Sequence, residues 1–201
     1  MLKQDVDTGT LIERCQAGDE EAVTTLVTQN QRAIFRLALS ILDDSAEADE
    51  ATQETFLAAL RSLGTYRGGA SLRTWLFAIA INVCRSRLRR GRTWQRVQEL
   101  FLGGAVSLGG RDDATAHPEV LAVQREADDA VWQAVQDLGE KHRLPVILRY
   151  YHDLSVPEIA GVLGISEGTV HSRLSIARDR LRTALIVAPE VWTEAQPRWQ
   201  R

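Results

Sequence analysis

Cysteine, histidine and proline are scarce in this chain, and each scarcity removes a class of function. Cys15 and Cys84 stand alone among 201 residues, with no CxxC and no Cys–His cluster. That spacing fits two small buried side chains in a reducing compartment rather than a zinc site or a disulfide framework. The four histidines (His117, His142, His152 and His171) fall at no metal-ligand spacing, and none lies beside a nucleophile. His152–Asp153 reads as loop surface rather than as part of a catalytic constellation. No catalytic residue, metal ligand or cofactor is therefore assigned, and an enzyme is not expected. No apolar run reaches the roughly 18–20 residues of a membrane span, and the opening "MLKQDVDTGT" carries no signal-peptide core. A cytoplasmic chain is expected. With only five prolines and no alternating apolar pattern, helix is the expected structure wherever order is expected.

What the chain does have is segregated charge. The formal net charge is -3, yet residues 1–60 hold twelve Asp or Glu against four Lys or Arg. Residues 85–96 hold six Arg and no acid. An acidic first part suits a basic partner surface, and a concentrated basic stripe suits a polyanion.

Apolar residues recur at three- and four-residue steps along most of the chain. Leu11, Ile12 and Cys15 open a short amphipathic stretch that stops at Gly18. Asp19 then caps a helix carrying Ala22, Val23, Leu26, Val27, Ile34, Leu37, Ala38, Ile41 and Leu42. "DDSAEADE" offers Ser45 as a cap and an acidic first turn, leading to Phe56, Leu57 and Leu60. "GTYRGGAS" is a turn, after which Ser71 caps a helix with Leu72, Trp75, Leu76, Ile79, Ala80 and Val83 on one face. From about 93 the periodicity fails, and 94–126 reads as an interdomain linker. It resumes from Ala127 to Leu138, stops at Gly139, and returns in a helix around Pro145–Tyr151 and in two more helices. The expected architecture is all-α: two small helical domains, 1–93 and 127–188, with a tail at 189–201.

Residues 155–181 are the most specific part. In "SVPE", Ser155 serves as N-cap, Pro157 sits in the first turn where its missing N–H is harmless, and Glu158 closes a capping box. Ile159, Ala160, Leu163, Ile165 and Val170 occupy the apolar positions of a helix-turn-helix, and Gly164 permits the sharp turn between its helices. Ser166 caps the second helix. Val170, Leu174, Ala177 and Leu181 line its inner side, leaving His171, Ser172, Ser175 and Ile176 outward with Arg173 and Arg178 flanking. A helix lying in the major groove offers just such polar side chains to base edges while arginines hold phosphates.

The second basic element, "RSRLRRGRTWQR", follows a helix bearing Trp75, Phe77 and Asn82 and a glycine-rich loop bearing Tyr66. Aromatic surfaces, an amide and cations together meet the needs of a single-stranded nucleic acid. Trp75 and Phe77 fit the core by spacing, so Tyr66 is the stronger stacking residue.

Taken together, these blocks resemble the extracytoplasmic-function group of bacterial sigma factors. "ADEATQETFLAAL" (48–60) is similar to the family's helix that docks on the β′ subunit of RNA polymerase. "YRGGASLRTWLFAIAINVCRSRLRR" (66–90) resembles the segment that melts and reads the promoter −10 element, and "LSVPEIAGVLGISEGTVHSRLSIARDRLR" (154–182) the region that reads the −35 element. The resemblance implies that Asp49, Glu50, Gln53 and Glu54 face core RNA polymerase, whose β′ and β subunits would be the partners. It places Tyr66 and Asn82 at a pocket for a flipped-out −10 base, beside Arg85, Arg89 and Arg90. It brings His171, Ser172, Arg173, Ser175 and Arg178 to the −35 duplex of promoter DNA. It further implies that 94–126 threads toward the polymerase active-site channel, and that an anti-sigma factor controls the chain, with no insertion into the membrane. Four positions depart from the family's habit: His171 and Ile176 stand where basic residues are usual, Ile81 where Arg is frequent, and Ser86 where Asp is frequent. A competing reading from the residues alone is a one-component regulator whose helix-turn-helix acts without polymerase.

Overall fold

Capping groups close to each other in sequence set the order of the helices. The structure, a computed structural model, describes residues 8–102 and 130–186, with side chains over 8–91 and 130–185. Most of the expected linker, Ala127 and the tail with Trp192 and Trp199 lie outside the described residues, as do the side chains of Arg92 and Arg96. All regular structure among the described residues is helical, so the fold is all-α, and it falls into two compact units.

In the first unit, α1 (Thr8–Gln16) buries Leu11, Ile12 and the free thiol Cys15. Gly18 turns the chain at φ 81°. Asp19 then accepts from the backbone N–H groups of Glu21 and Ala22 at 3.0 and 3.1 Å, the expected cap for α2 (Glu20–Leu42). The Arg14 guanidinium closes on the same carboxylate at 2.7 Å and holds its pKa below the usual range. The expected apolar stripe of α2 is buried at Ala22, Leu26, Ile34, Leu37, Ala38 and Ile41, while Val23, Val27 and Leu42 at its edges are half-buried.

The cap of α3 (Ser45–Ser62) is Asp44 and not Ser45. Asp43 ends α2 in the left-handed region at φ 56°, which leaves Asp44 as the extended residue, and its side chain accepts from the Glu47 N–H at 2.8 Å. Ser45 is already helical. Phe56 packs inward with Ala48, Ala51 and Thr55, but Leu57, expected on that face, is 54% exposed. A 3-10 turn, Leu63–Thr65, leads into the loop. Ser71 then caps α4 (Leu72–Leu102), its Oγ accepting from the Thr74 N–H at 3.1 Å.

The buried face of α4 is rotated from the expected one. Thr74, Leu76, Phe77, Ala80, Ile81 and Cys84 point inward, while Trp75, Ile79 and Val83 are half-exposed. A polar residue goes inward here because the Thr74 hydroxyl is paired with that of Ser71 at 2.7 Å. Ile81, one of the departures from the resemblance, is core. The α4 backbone stays helical to Leu102, past the point where apolar periodicity ends.

In the second unit a helix, α5, covers the described residues 130–136, with Val135 and then Leu138 buried. The next helix, α6 (Glu140–Val146), starts five positions before the expected Pro145. Its N-cap, Gly139, has no side chain to advertise the start. Pro145 lies inside the helix, where it cannot donate to the preceding turn, and the chain continues as a wider π turn over Ile147–Tyr151. His152, expected on the surface, is buried at 4% exposure. The left-handed φ of 56° at the exposed Asp153 turns the chain there, and the Leu154 N–H closes on the Leu148 carbonyl at 3.0 Å. The hairpin α7 (Val156–Leu163) and α8 (Glu167–Ile186) completes the unit. Among the described residues, no helix is long and apolar enough to cross a membrane.

Candidate nucleic-acid interface

The helix-turn-helix is built as its sequence indicates. The Ser155 N–H donates to the Glu158 carboxylate at 2.8 Å, and the Glu158 N–H faces the Ser155 hydroxyl at 3.4 Å, giving the capping box. Gly164 turns at φ 65°, which lets the Ile165 N–H reach back to the Ala160 carbonyl at 3.1 Å. Ser166 caps α8 by accepting from the Thr169 N–H at 3.2 Å. Ile159, Ala160, Val162 and Val170 are buried and the expected Leu163 and Ile165 half-buried; Leu174 and Ala177 continue the inner stripe to Leu185, with the expected Leu181 half-buried.

That burial turns His171, Ser172, Ser175 and Arg178 to solvent. Arg173 is half-buried on the flank, and Ile176 is 40% exposed. The outward side also carries Asp179, an exposed carboxylate four positions beyond Ser175. Its arginine neighbours hide it in the sequence, although the same four-residue step reaches it. Behind α8, the buried His142 ring places Nδ1 3.4 Å from the Arg173 carbonyl. Burial lowers the His142 pKa, and the nearby Arg180, Lys141 and Arg173 lower it further against that hydrogen bond.

On α4 the expected residues separate into two groups. Asn82, Arg85 and Arg89 follow one another at steps of three and four, on the side away from the buried stripe. The same row runs back through Ala78 to Trp75. The Tyr66 ring meets Trp75 edge-on at 5.4 Å between centroids, and the Tyr66 hydroxyl donates to the Ala70 carbonyl at 2.7 Å. Trp75, expected in the core, is thus a half-exposed wall beside Tyr66, whereas Phe77 is fully buried. The Leu63 carbonyl at the start of this loop accepts from the Tyr66 N–H at 3.1 Å and from the Gln16 side chain at 3.1 Å. α1 therefore holds the loop that carries Tyr66, a link across 47 positions that no local pattern announces.

Arg90 lies off that row, 4.0 Å from Glu54. Arg87 turns wholly toward α3: Nη1 pairs with Glu47, and Nη2 with Glu50 and Glu54 at 2.8 Å each. Its side chain is only 12% exposed. The three carboxylates hold the guanidinium pKa above its ordinary value, and the Glu54 carboxyl is pulled down chiefly by the hydrogen bond from Arg87. Of the four residues expected to face a partner, Glu50 and Glu54 also pair with Arg87, and Glu50 does so while 64% exposed. Asp49 and Gln53 are exposed and joined by a hydrogen bond of 3.0 Å, and Leu57 extends their row by another four positions. No group of three or more His, Cys, Asp or Glu able to hold a metal occurs among the described residues.

Two stretches of the chain match described families: residues 26–94 match Sigma-70 region 2, and residues 128–181 match Sigma-70, region 4. The chain is 35% identical over 193 residues to the RNA polymerase sigma-H factor of Pseudomonas aeruginosa, covering 92% of this chain and 96% of the relative. It is 31% identical over 173 residues to the ECF RNA polymerase sigma-E factor of Escherichia coli K12, covering 85% of this chain and 90% of that one. Among solved structures, the sigma factor RpoE of Bartonella quintana, in complex with the anti-sigma factor NepR, matches with a TM-score of 0.63. That match has 25% sequence identity and covers 82% of this chain and 96% of the other.

Proposed function

From the premise that this chain belongs to the extracytoplasmic-function group of sigma-70-family RNA polymerase sigma factors, we infer that it is an alternative sigma factor directing core polymerase to its own promoters. It works in the cytoplasm, where polymerase is, and needs no catalysis of its own. The observation that carries the reading is a conjunction in one chain. The Tyr66–Trp75–Asn82 row with its arginines falls inside the region 2 match, and the polar outer side of α8 falls inside the region 4 match.

Each part then has a physical task. Asp49, Gln53 and Leu57 offer core polymerase an acidic, amide and apolar row, a composition suited to a basic helical surface with an apolar seam. The aromatic pair Tyr66 and Trp75 gives an unstacked −10 base a surface, Asn82 supplies hydrogen bonds to its edge, and Arg85 and Arg89 meet phosphates. Stacking worth about 1–3 kcal/mol per base offsets the few kcal/mol that unstacking costs. His171, Ser172 and Ser175 read the −35 duplex in the major groove, with Arg178 at its backbone. Either domain alone binds DNA weakly, and tethering both to polymerase makes selectivity a joint property. The complex of the Bartonella relative with an anti-sigma factor supports control by an inhibitor protein.

The test is transcription in vitro with purified core polymerase, the full chain and a library of promoter fragments. Initiation at start sites sharing two sequence elements is expected. Failure to associate with core polymerase, or tight specific duplex binding without it, would overturn the reading in favour of a one-component regulator.

A further inference from the structure

Arg87 sits in the middle of the basic stripe yet gives its charge to the chain rather than to solvent. Its three partners, Glu47, Glu50 and Glu54, line one flank of α3 at steps of three and four. The row Asp49, Gln53 and Leu57 lies about a quarter-turn around the same helix. On α4 Arg87 lies between Arg85 and Arg89 in sequence and about half a turn around the helix from the row Asn82, Arg85 and Arg89. The clasp thus lies at the height of both rows, between a face suited to protein and a face suited to nucleic acid. A guanidinium offers five donors in a fixed fork, so engagement by three carboxylates at once fixes the roll of α4 as well as its distance from α3. The buried Arg87 Nε has no hydrogen-bond partner, a cost that the ion pairs on Nη1 and Nη2 offset.

We propose that Arg87 with Glu47, Glu50 and Glu54 forms a positioning clasp. It sets the rotation of α4 against α3, so that docking through Asp49, Gln53 and Leu57 determines where Asn82, Arg85 and Arg89 meet the promoter. The proposal rests on the sigma-factor reading of those two rows. Arg87 itself touches no nucleic acid; it transmits the placement of one row to the other.

The experiment uses the full chain as wild type, Arg87→Ala, Arg87→Glu and the exchange Glu54→Arg/Arg87→Glu, with core polymerase and a promoter selected by wild-type holoenzyme. Affinity for core is measured with labelled chain, and open complexes by strand reactivity at saturating polymerase over a salt series. Both single variants are expected to keep core affinity within about threefold, because the docking row Asp49, Gln53 and Leu57 is untouched. They are expected to lose open complexes by about tenfold or more, equivalent to about 1.4 kcal/mol. The exchange variant recovers most of that loss, because it restores an opposite-charge pair between positions 54 and 87, with Glu50 beside the relocated guanidinium. The salt slope of promoter binding stays that of wild type.

A slope shallower by about one released counterion, with no recovery in the exchange variant, overturns the clasp and makes Arg87 a phosphate contact. A parallel loss of core affinity and open complexes also overturns it, leaving Arg87 with a role in the fold alone. Wild-type chain that fails to bind core overturns the sigma-factor reading and the clasp with it. Wild-type chain that initiates while Arg87→Ala equals it overturns the clasp alone.

Discussion

The His142 ring is held against the backbone of the recognition helix, its Nδ1 3.4 Å from the Arg173 carbonyl. A neutral ring donates from Nδ1 to that carbonyl while its burial excludes water. Its folded pKa is lowered, first by desolvation and then by Arg180, Lys141 and Arg173. Between the folded value and the unfolded value near 6.5, the unfolded chain binds the extra proton. Stability from this group is therefore fully present above about pH 6.5 and is lost as pH falls toward the folded pKa. Thermal midpoints measured from pH 7.5 to 5.5 are expected to fall more for the wild type than for His142→Gln. Parallel curves would remove His142 as the titrating group.

Gly164 gives a cleaner measurement of backbone strain. It holds φ 65°, and an added Cβ would meet nothing within 4 Å. Gly164→Ala should therefore cost only the left-handed conformation, about 1–2 kcal/mol, and Gly164→Asn less. Chemical denaturation of the full chain would show it in the transition of the second unit. A neutral Gly164→Ala would mean that the turn relaxes without the left-handed residue.

Leu57 is 54% exposed on α3, so replacing it removes little from the core of the first unit. Leu57→Asp should leave the thermal midpoint almost unchanged while weakening core polymerase binding by about tenfold or more, the size of an interface anchor. Wild-type affinity in a labelled-chain titration would take Leu57 out of the docking row.

Ile176 stands 40% exposed beside the outward face of α8, next to Ser175 and two positions before Arg178. Ile176→Arg is expected to tighten duplex binding and to add about one counterion to its salt dependence. Discrimination among −35 sequences should loosen, because the added contact is made to every sequence. Matched and mismatched −35 duplexes titrated in parallel give both quantities. Unchanged affinity and preference would place Ile176 off the DNA.

The sequence is most legible where structure is decided by near neighbours. Asp19, Ser71, Ser155 and Ser166 each cap the helix they precede, because a cap needs only the next three residues. The same locality makes Gly164 readable from the pattern around it. Ambiguity arises where two readings satisfy the same local rule. "DDS" contains three capping residues, and only the left-handed Asp43 selects Asp44. Periodicity misjudges the α4 face because a tryptophan counts as apolar and a threonine as polar. Here the Ser71 hydroxyl satisfies buried Thr74, and Tyr66 covers one edge of Trp75. Pattern also misplaces His152, whose burial depends on how the chain closes around Asp153. The pairing of Arg87 with Glu47, Glu50 and Glu54 spans 33 to 40 positions and obeys no spacing rule. It enlists Glu50 and Glu54 of the expected polymerase-facing quartet, while Glu50 stays exposed together with Asp49 and Gln53.

That pairing also implies an asymmetry in what mutation can do. Losing one of the three glutamates leaves two to hold the guanidinium, while losing Arg87 strands three like charges together at a stroke. Under drift, negative charge can migrate among positions 47, 50 and 54 as long as its sum survives, so the identity at any one of them wanders. Position 87 can change sign only if α3 changes with it. A library randomised at all four positions and selected for initiation should retain opposite charge across the two helices, as arginine at 87 facing acids on α3 or as the exchanged pair.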